Sequence, residues 1–600
     1  MIDRRINVQP NQNSNEKGYT LVLTLFVILL FTILATSLMT LTLAGAKKNQ
    51  VSQSNIQKVE LANQGVEFIT AQIYHELEEE LKKNAIDRSR FIDLLEETLN
   101  NYKTELNSIS SSGETGKYDV YISDIVDAKD ANGVSNPIRK RVTFKSTGTV
   151  HGQKKLITTE VEIGAKSTLE TLKYAVGANK CIGTNCTQLN GEGNMFLHGG
   201  VSIQGDFKVD GNLITTNRGY ASYTKNGTKN DLWIPSVYPS ALPSQGETNA
   251  HLVLGGKVYT FTNNPIYDNH VPTVNFGSSY SNKTNNISAA FKTGESPIIV
   301  NRQITRDEIK ISDQKAAFYF NKNSGIRYID TRNNAEFTED INMTTDKVYP
   351  RNRDCFLIFC SDYSFNDHFT FTKNNSFKSF ATEGSLTIKS STSSFKKTKF
   401  ENGAYIEGNL TIGNNDSSDN INNYDQIQID GPLFVNGDVT IRGANAQFNA
   451  IMYVMGNVTI EHSQINGLGN NGSLIIFAKK GIKISNNSVN LDNPSTIKGF
   501  FFSEEALEIY GVGSNIRIEG GVSARRIVLN AIRGSASNKT FPGAQETAIG
   551  FYEGIATQPN KNSRLQIIYN PYIMNTYADI KSREPIITSI DPPQLINRYD

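Results

Sequence analysis

The sequence has little tryptophan, little cysteine and almost no surplus charge, and each shortage narrows the possible functions. Tryptophan occurs once and cysteine four times in 600 residues. So few cysteines exclude a fold held by a disulfide framework and leave room only for local bridges. The 60 basic and 59 acidic residues give a formal net charge of +1, which argues against a chain built mainly to coat nucleic acid.

Asparagine, serine, threonine and glycine are plentiful instead, while apolar residues make up 38% of the chain. This composition favours β-rich structure with many turns over a helical enzyme. The length exceeds what one ordinary hydrophobic core supports, so we expect two or more domains.

One stretch near the N-terminus has no charged residue. From Tyr19 to Ala46 the chain contains no Asp, Glu, Lys, Arg or His, and Lys47 and Lys48 follow directly. At about 1.5 Å per residue, a helix of this length crosses a hydrocarbon layer of roughly 30 Å. The run therefore predicts a membrane-spanning helix.

Two simple interpretations of this helix stay open. Ala44-Gly45-Ala46 is typical of a signal-peptide cleavage site, but the apolar run is longer than the central region of a signal peptide. An uncleaved membrane anchor fits the length equally well.

The residues at the start of the run suggest a third interpretation. The chain reads Lys17-Gly18-Tyr19-Thr20-Leu21-Val22, where a charged leader meets the apolar segment. This stretch resembles the prepilin cleavage motif of type IV pilins and pseudopilins. The resemblance implies that a prepilin peptidase removes residues 1–18 and that Tyr19 becomes an N-methylated first residue.

One position departs from the family pattern. The fifth residue after the implied cut is usually glutamate, and here it is Leu23. The resemblance implies that this glutamate neutralises the terminal amine of a neighbouring subunit inside the membrane, where an unpaired charge is unfavourable. The span has no acidic residue at any position that could replace this glutamate. The presence of Leu23 therefore favours a minor or tip-located subunit over the major filament subunit.

Beyond the span, an apolar stripe continues at three- and four-residue steps and predicts that the helix extends to about Lys83. The stripe consists of Ala62, Val66, Ile69, Ile73, Leu77 and Leu81. Within it, residues 61–67 resemble the Ala-Glu-x-Gly region of PilX-type minor pilins.

A second helix is predicted over residues 91–109. Alternating patterns then predict strands at 118–122, 142–144 and 156–163, with a hairpin turn at His151-Gly152-Gln153. A long helix packed on a small antiparallel sheet is the α+β fold that the pilin resemblance implies for the first quarter of the chain.

The C-terminal part repeats a short strand that begins with glycine. The clearest copies are Gly384-Ser-Leu-Thr-Ile388, Gly408-Asn-Leu-Thr-Ile412, Gly437-Asp-Val-Thr-Ile441 and Gly456-Asn-Val-Thr-Ile460. Each copy places a turn glycine before alternating apolar residues, and the copies return at intervals typical of a solenoid. The pattern predicts a right-handed parallel β-helix, with an antiparallel sandwich or barrel as the alternative. Such arrays resemble the polymer-like β-helix regions of some large pilin-like proteins.

These features predict a domain order along the chain. It runs as a leader (1–18), a transmembrane helix (19–46), a helical extension (47–83), a pilin-like α/β region (84–170), an irregular β region with insertions (171–380), β-helix-like repeats (381–540) and a C-terminal strand and tail (541–600). The irregular region is either an insertion or the less regular half of the solenoid.

The cysteines form two close pairs in sequence. Cys181 and Cys186 enclose turn residues, which predicts a local disulfide. The segment Cys355-Phe-Leu-Ile-Phe-Cys360 is typical of a strand, which would hold its end Cα atoms roughly 16 Å apart, too far for a disulfide. That segment therefore turns sharply, or its cysteines pair elsewhere or stay free. A zinc site using His198 or His368 matches no usual spacing, and we predict no metal or cofactor.

A basic segment lies between Asp130 and Glu160. It is either a patch for anionic polymers such as DNA or cell-wall acids, or a solvated hairpin face, and its alternation with apolar residues favours the hairpin face. Its basic residues are Arg139, Lys140, Arg141, Lys145, Lys154 and Lys155.

Parallel β-helices also host polysaccharide lyases and glycosidases, which need paired carboxylates or calcium-binding clusters. The acidic residues of the repeats are scattered, and no phosphate loop or nucleophile motif is present. Because a fold alone is no warrant for activity, we predict no catalytic residue and no enzyme. The residues considered are Asp425, Asp430, Asp438, Glu461 and His462.

The sequence as a whole predicts a minor pilin or pseudopilin-like subunit. It would be a single-pass protein of the cytoplasmic membrane, with its large C-terminal part outside the cytoplasm, at a filament tip or in an initiation or adhesion role. The expected partners are other pilins or pseudopilins, the prepilin peptidase and membrane lipid, with cell-wall polymer or DNA as further candidates. The alternative is a membrane-anchored surface protein whose β-helix binds or cleaves cell-wall polysaccharide.

Overall fold

The protein is described by a computed structural model. It describes residues 16–83, 86–103, 109–113, 116–129, 135–165, 169–181, 186–225, 228–261, 282–284, 286–301, 309–318, 335–337, 339–343, 347–349, 353–356, 359–362, 368–390, 393–489, 491–534, 561–584, 586–587 and 589–599. The helices in these ranges are α1 (Glu16–Lys83), α2 (Arg88–Asn100), α3 (Gln314–Phe318) and α4 (Ile573–Ser582).

The strands are numbered along the chain. The first group is β1 (Ile86–Asp87), β2 (Ile109–Gly113), β3 (Gly116–Lys129), β4 (Ser135–Val150), β5 (Gln153–Gly164), β6 (Val176–Ala178), β7 (Met195–Gly199), β8 (Ser202–Gln204), β9 (Phe207–Val209), β10 (Leu213–Thr216), β11 (Arg218–Lys225), β12 (Thr228–Pro235) and β13 (Ser240–Leu242). The second group is β14 (His251–Leu254), β15 (Val258–Phe261), β16 (Asn282–Thr284), β17 (Ile298–Ile299), β18 (Ala335–Phe337), β19 (Ile341–Met343), β20 (Lys347–Tyr349), β21 (Arg353–Phe356), β22 (Phe359–Asp362), β23 (His368–Phe371), β24 (Asn375–Phe377), β25 (Phe380–Thr382) and β26 (Ser385–Ile388). The third group is β27 (Lys396–Phe400), β28 (Ala404–Ile406), β29 (Leu410–Ile412), β30 (Asp425–Val435), β31 (Val439–Val454), β32 (Val458–Gly467), β33 (Leu474–Ala478), β34 (Ile482–Ile484), β35 (Ser495–Gly511), β36 (Ile516–Ala531), β37 (Leu565–Tyr569), β38 (Ile586–Ile587) and β39 (Gln594–Tyr599).

The N-terminal unit is a long helix on a small antiparallel sheet, as the sequence predicts. The apolar stripe of α1 is buried at every predicted position, from Ala62 to Leu81. It forms one core with α2 and with the sheet of order β2-β3-β4-β5-β39. The predicted hairpin turn is confirmed: β4 ends at Val150, β5 begins at Gln153, and His151 and Gly152 both have positive φ.

The second helix is shorter than predicted. It ends at Asn100, and Ile109 belongs to strand β2 instead. The apolar spacing continues to Tyr102, which is buried in the same core as Leu99. The helix nevertheless ends at Asn100, because the chain then turns toward β3, where Ile122 N donates to the carbonyl oxygen of Tyr102 at 2.8 Å.

Helix α1 lies unusually close to β4. A Cβ added at Gly148 would lie 1.9 Å from the carbonyl oxygen of Lys58. The hydroxyl of Ser146 donates to the carbonyl oxygen of Ala62 at 2.7 Å, and a Cβ at Gly65 would lie 2.9 Å from Ser146 Oγ. Small residues on both elements thus let the helix contact the sheet backbone.

The C-terminal segment returns to this unit and completes its sheet. Strand β39 pairs antiparallel with β5, and β38 pairs with β1. Arg139 donates to Asp591 Oδ2 at 2.7 Å, with both side chains buried, and also to the carbonyl oxygen of Ala165. The sequence predicts a strand and tail after residue 541, and the structure adds α4, β38 and β39 beyond β37.

The large domain is a parallel β-helix, which confirms the predicted fold and excludes the antiparallel alternative. Its coils stack as three parallel ladders. The first runs β18, β23, β26, β29, β31, β32, β34, β35, β36, β7, β10 and β15. The second runs β19, β24, β27, β30, β31, β32, β35, β36, β37, β8 and β13. The third runs β20, β25, β28, β30, β31, β33, β35, β36, β6, β9, β14 and β17.

The pentapeptide repeat has a direct physical basis. Its apolar residues point inward, and its glycines stack so closely that a Cβ at Gly437 would lie 2.5 Å from the carbonyl oxygen of Gly408. The second residue of each of the first three copies accepts a hydrogen bond from the next coil: Ser385 Oγ from Asn409 N at 3.0 Å, Asn409 Oδ1 from Asp438 N at 2.9 Å, and Asp438 Oδ1 from Asn457 N at 2.7 Å. The repeat therefore sets both the backbone approach and the polar pairing between coils.

The coil order in space differs from the order along the chain. The chain enters the solenoid at β6 and builds coils in one direction as far as β17. It then resumes at β18, at the opposite end of the stack, and coils in the same direction until β36 and β37 reach the strands with which the solenoid began. One coil is therefore composite: β37 comes from the end of the domain, whereas β6 and β7 come from its start, and all three stack on β36. Apart from the antiparallel hairpin of β11 and β12, the described strands between residues 195 and 261 belong to the solenoid, which favours the second interpretation of the irregular region.

Helices α3 and α4 cover an outward-facing apolar surface of the solenoid. Tyr453 and Phe477 belong to this surface, and Tyr577 of α4 packs in the same apolar cluster. At its edge, Tyr453 donates to buried Glu584 at 2.7 Å, and Lys581 pairs with the same carboxylate. Burial raises the pKa of Glu584, so this group holds α4 in place through a desolvated hydrogen-bond network.

The segment around Cys355 and Cys360 is a hairpin. The sequence suggests one strand, and the structure has two, β21 and β22, which pair antiparallel with Cys355 opposite Cys360. Of the alternatives, the sharp turn is therefore the one adopted. The segment lacks the Gly or Asn that marks most hairpins, so the pattern could not separate a short hairpin from a strand.

We expect Gly437→Ala to lower the free energy of unfolding of the solenoid by about 1–3 kcal/mol, because the new methyl group overlaps the stacked backbone. Gly481→Ala is the matched control. It occupies the same place in the repeat, but an added Cβ there meets no atom closer than 3.5 Å, so its effect should stay within roughly 0.5 kcal/mol. Urea unfolding of the two variants measures the difference, and equal effects would contradict the stacking argument.

We expect Asp591→Ala to destabilise the closure of the N-terminal sheet by about 3–5 kcal/mol, because it leaves Arg139 buried without its closest carboxylate. Amide hydrogen exchange of residues 594–599 should accelerate. Asp119→Ala, which removes the exposed pair with Lys117 in the same sheet, should change stability by less than about 1 kcal/mol. Unchanged exchange in Asp591→Ala would show that β39 is held by strand pairing alone.

Candidate functional site

The first half of α1 contacts no other described part of the chain. Every residue from Tyr19 to Gln53 is exposed, although most are apolar. Its large exposed side chains include Leu21, Val22, Leu25, Phe26, Phe31 and Leu41. By length and composition it is the one described helix that qualifies as a membrane span. We call residues 19–46 the exposed helix.

The threonine hydroxyls of the exposed helix are already hydrogen-bonded within α1. The hydroxyls of Thr32, Thr36 and Thr40 each donate to the carbonyl oxygen four residues earlier, at 2.6–2.8 Å. Thr24 and Thr42 bond in the same way to α1 carbonyls three or four residues before them. The surface therefore presents no unpaired threonine hydroxyl to a hydrocarbon environment, where such a group is unfavourable.

The motif residues lie at the start of this helix. Helix α1 begins at Glu16, so the backbone of Lys17 and Gly18 belongs to its first turn. Tyr19 is 75% exposed, and Leu23, which replaces the family's glutamate, is 54% exposed. The structure therefore places the predicted processing residues together with the apolar surface.

The candidate catalytic carboxylates do not converge on one site. Asp430 pairs with Arg583 and Lys397. Burial alone would raise the pKa of Asp430, but the two cations lower it below its usual range. Asp438 Oδ1 accepts a hydrogen bond from the backbone N–H of Asn457 in the next coil. Each group thus has a local structural partner.

Glu461 and His462 also have structural partners. Glu461 accepts a hydrogen bond from Ser485 at 2.9 Å. His462 Nδ1 lies 2.8 Å from Asp419 Oδ1, and the other oxygen of Asp419 accepts from the backbone of Val489. These contacts hold a corner where His462, Asp419 and Asn486 all have positive φ.

Asp425 differs because it points into the solenoid. It is 5% exposed, and its Oδ2 finds no hydrogen-bond partner in the described part of the chain. Burial raises the pKa of Asp425, and the backbone N–H of Ser390 and the charge of Lys389 offset that effect only in part. A carboxyl group enclosed in this way has no access to a polymeric substrate.

The basic residues between Asp130 and Glu160 are less exposed than an anion-binding patch or a solvated hairpin face would require. Arg139 and Lys140 are buried, and Lys140 lies 2.6 Å from carboxylate oxygens of both Glu96 and Asp127. Arg141 bonds Glu162 at 3.0 Å. The solvated-face interpretation is therefore wrong for Arg139 and Lys140, because carboxylates on neighbouring elements draw them inward.

The histidines considered as zinc ligands have other contacts. His198 is buried, with Nδ1 2.6 Å from Asn530 Oδ1, and its ring packs edge-on against Trp233. His368 Nε2 lies 2.7 Å from Thr387 Oγ1. A separate group of Asp206, Glu247 and His251 brings three potential ligand atoms together, but Asp206 already accepts hydrogen bonds from the backbone and ring of His251.

Cys181 and Cys186 form a disulfide, with Cα atoms 5.9 Å apart. The residue after this loop, Thr187, and Glu192 both contact Arg525 of the solenoid. Cys181 N donates to Glu192 as well. The bridge thus lies beside the composite coil.

No pattern in the sequence indicates one buried polar contact near this bridge. Lys208 donates to the side-chain carbonyl of Asn179 and also lies close to Asp210. The residues follow no motif, and Asn179 lies 29 positions before Lys208 in the chain. Strand pairing between β6 and β9 brings them together, and no pattern signals that pairing.

No protein-family model and no curated protein matches the chain. Among solved structures, the crystal structure of the competence-associated pilin ComZ from Thermus thermophilus aligns with 10% identity and a TM-score of 0.25, over 91% of this chain and 97% of that one. A TM-score of this size carries no argument about fold or function. The pilin-like interpretation therefore rests on this chain's own residues and contacts.

Proposed function

We propose that this chain is a minor pilin-like subunit of a type IV pilus or a related filament. The supporting observation is the division of α1 into a half that packs on an antiparallel sheet and a half that contacts no other described element. So large an apolar surface is stable only when lipid or other helices cover it. Lipid would cover it before assembly, and helices of other pilins would cover it in the filament.

The proposal includes removal of residues 1–18 by a prepilin peptidase. The bond cut joins Gly18 to Tyr19, where the charged leader meets the exposed helix. Lys17, Thr20 and the aliphatic residues up to Leu23 complete the motif. Methylation of the new amine at Tyr19 belongs to the same proposal.

We further propose that the subunit acts in low copy number, at a tip or at filament initiation. Leu23 cannot neutralise the terminal amine of a neighbour, so a lattice of identical subunits would bury that charge unpaired. The β-helix is also inserted into the small domain itself. A helical lattice would have to accommodate one such domain at every position.

A second candidate function is the binding of cell-wall polysaccharide by the solenoid. One observation favours it: a column of half-buried threonines faces outward on the first ladder, at a strand spacing of about 4.8 Å. The column consists of Thr370, Thr387, Thr411, Thr440 and Thr459, which are successive register partners. We propose no cleavage of the polymer, because the nearby carboxylates have structural partners.

Processing is tested by intact-protein and N-terminal mass spectrometry of the chain isolated from membranes of its own host. We expect a mature protein that begins at Tyr19 and carries a methyl group. Gly18→Leu should abolish the cut, so that the full-length precursor accumulates and does not enter filaments.

Ala46→Leu is the matched control for processing. It blocks the alternative signal-peptide site and should leave the start at Tyr19 unchanged. A wild-type chain that begins at Lys47, with loss of this cut in Ala46→Leu, would refute the pilin-like proposal. A chain that begins at Met1 in both the wild type and Ala46→Leu would support a plain membrane anchor.

The non-enzymatic interpretation of Asp425 predicts a pH dependence of stability. Its pKa is raised in the folded protein, so the unfolded chain ionises first and stability falls as the pH rises above about 4. Asp425→Asn removes this loss and should raise the free energy of unfolding at pH 7 by about 1–3 kcal/mol. At pH 3, where the carboxyl group is protonated in both states, the variant and the wild type should be equally stable. A destabilised variant at pH 7 would indicate that the carboxylate has an unidentified role.

A further inference from the structure

A buried lysine contacts a side-chain amide next to the composite coil. Lys208 Nζ donates to Asn179 Oδ1 at 3.1 Å and lies 3.6 Å from Asp210 Oδ1. The side chains of Lys208 and Asp210 are 5% and 0% exposed. Asn179 is half-buried, and its Nδ2 donates to Ser523 Oγ at 2.6 Å, which fixes the orientation of the amide.

The backbone holds these groups in place from several sides. Strands β6 and β9 pair in parallel with Gly177 opposite Lys208. Asp210 N donates to the carbonyl oxygen of Ala178, and Lys180 N donates to Asp210 Oδ2 at 2.9 Å. Lysine, amide and carboxyl group are therefore fixed relative to one another by the same ladder that builds the solenoid.

From this geometry we propose that Lys208 and Asn179 form an intramolecular isopeptide bond in the folded protein. A C=O bond is roughly 1.2 Å long, so Asn179 Cγ lies no more than about 4.3 Å from Nζ. Burial disfavours the charged forms of an amine and a carboxyl group. A proton passed from Lys208 to Asp210 leaves both groups neutral and makes Nζ a nucleophile.

The reaction balances without any cofactor or oxidant. Nζ of Lys208 attacks Cγ of Asn179, the Nζ–Cγ bond forms, and the Cγ–Nδ2 bond breaks. Asp210 takes a proton from Nζ and returns a proton to the leaving nitrogen. Nδ2 departs as neutral ammonia, for which the half-buried position of Asn179 leaves a path, and the proton that Lys208 first gave to Asp210 stays on the carboxyl group.

The chain contains an exposed counterpart that shows why burial matters. Lys315 Nζ donates to Asn436 Oδ1 at 3.2 Å and lies 3.4 Å from Glu407 Oε1. The same three chemical groups are present, but the side chains of Lys315 and Glu407 are 42% and 36% exposed. Water reaches both of these side chains, so the environment does not disfavour their charged forms, and we expect no bond there.

The bond would join the composite coil to the coil that follows it. Asn179 lies directly after β6, and Lys208 lies in β9 of the next coil. Residue Ser523 of β36 contacts the same amide from the other side. The cross-link thus lies where strands from the two ends of the domain meet. It does not depend on the pilin-like function.

The test is mass spectrometry of the full-length protein after reduction and denaturation. The bond predicts a mass lower than that of the sequence by one molecule of ammonia. After trypsin digestion it predicts a branched peptide, in which residues 174–180 are joined to residues 181–218, because a modified Lys208 is not cleaved. Fragmentation of this peptide should locate the branch between Asn179 and Lys208.

Two variants separate the proposal from other losses of ammonia. Asp210→Asn keeps the size of the side chain and should give the full mass and linear peptides, with circular dichroism showing that it is folded. Glu407→Gln, in the exposed counterpart, should leave the branched peptide intact. A wild-type digest with cleavage at Lys208 and only linear peptides would overturn the proposal. An ammonia loss without the branch would do so too, because cyclisation of another asparagine would then explain the mass.

Discussion

The antiparallel contact between Ala165 and Ile590 determines how the two parts of the chain are combined. Strand β5 leaves the small sheet at Gly164, and the chain returns beside it after the whole solenoid. Because the two points are neighbours, the β-helix is an insertion within the small domain. The buried pair of Arg139 with Asp591 secures the return. Two adjacent connections, rather than one flexible tail, therefore carry the large domain.

Within the solenoid, close backbone stacking imposes the sequence. Positions where one coil approaches the next without room for a Cβ must be glycine, as at Gly408 and Gly437. The next position must offer an oxygen to the following coil, which explains why serine, asparagine and aspartate occur there. Inward positions are aliphatic or aromatic. The small core of each coil is stable because its neighbours extend it in both directions.

Local patterns in the sequence predicted much of this structure. The stripe from Ala62 to Leu81 and the turn at His151 and Gly152 follow from short-range periodicity and turn chemistry, and both were found. The repeat predicted parallel coils because glycine spacing records the stacking directly. The exposed helix was also predictable from a local pattern, because a long uncharged apolar run indicates a membrane-spanning helix without any knowledge of distant contacts.

Long-range pairings were not predictable. Nothing in residues 594–599 indicates that they pair with β5, and the ion pair of Asp591 joins residues at opposite ends of the chain. Burial of Arg139 and Lys140 depends on carboxylates from other elements, so their charge alone suggested a surface. The hairpin at Cys355 and Cys360 lacks turn residues and therefore resembled a strand.

The composite coil constrains how the protein can be made. Strands β6 to β10 emerge early, yet β36, on which β6 and β7 stack, and β37, which completes their coil, are among the last parts of the domain to be synthesised. Folding in step with synthesis therefore leaves an open parallel edge until residue 569 has emerged. The many contacts between distant residues also predict slow folding. A chaperone that shields strand edges would thus suit this topology better than one that acts only on the exposed helix.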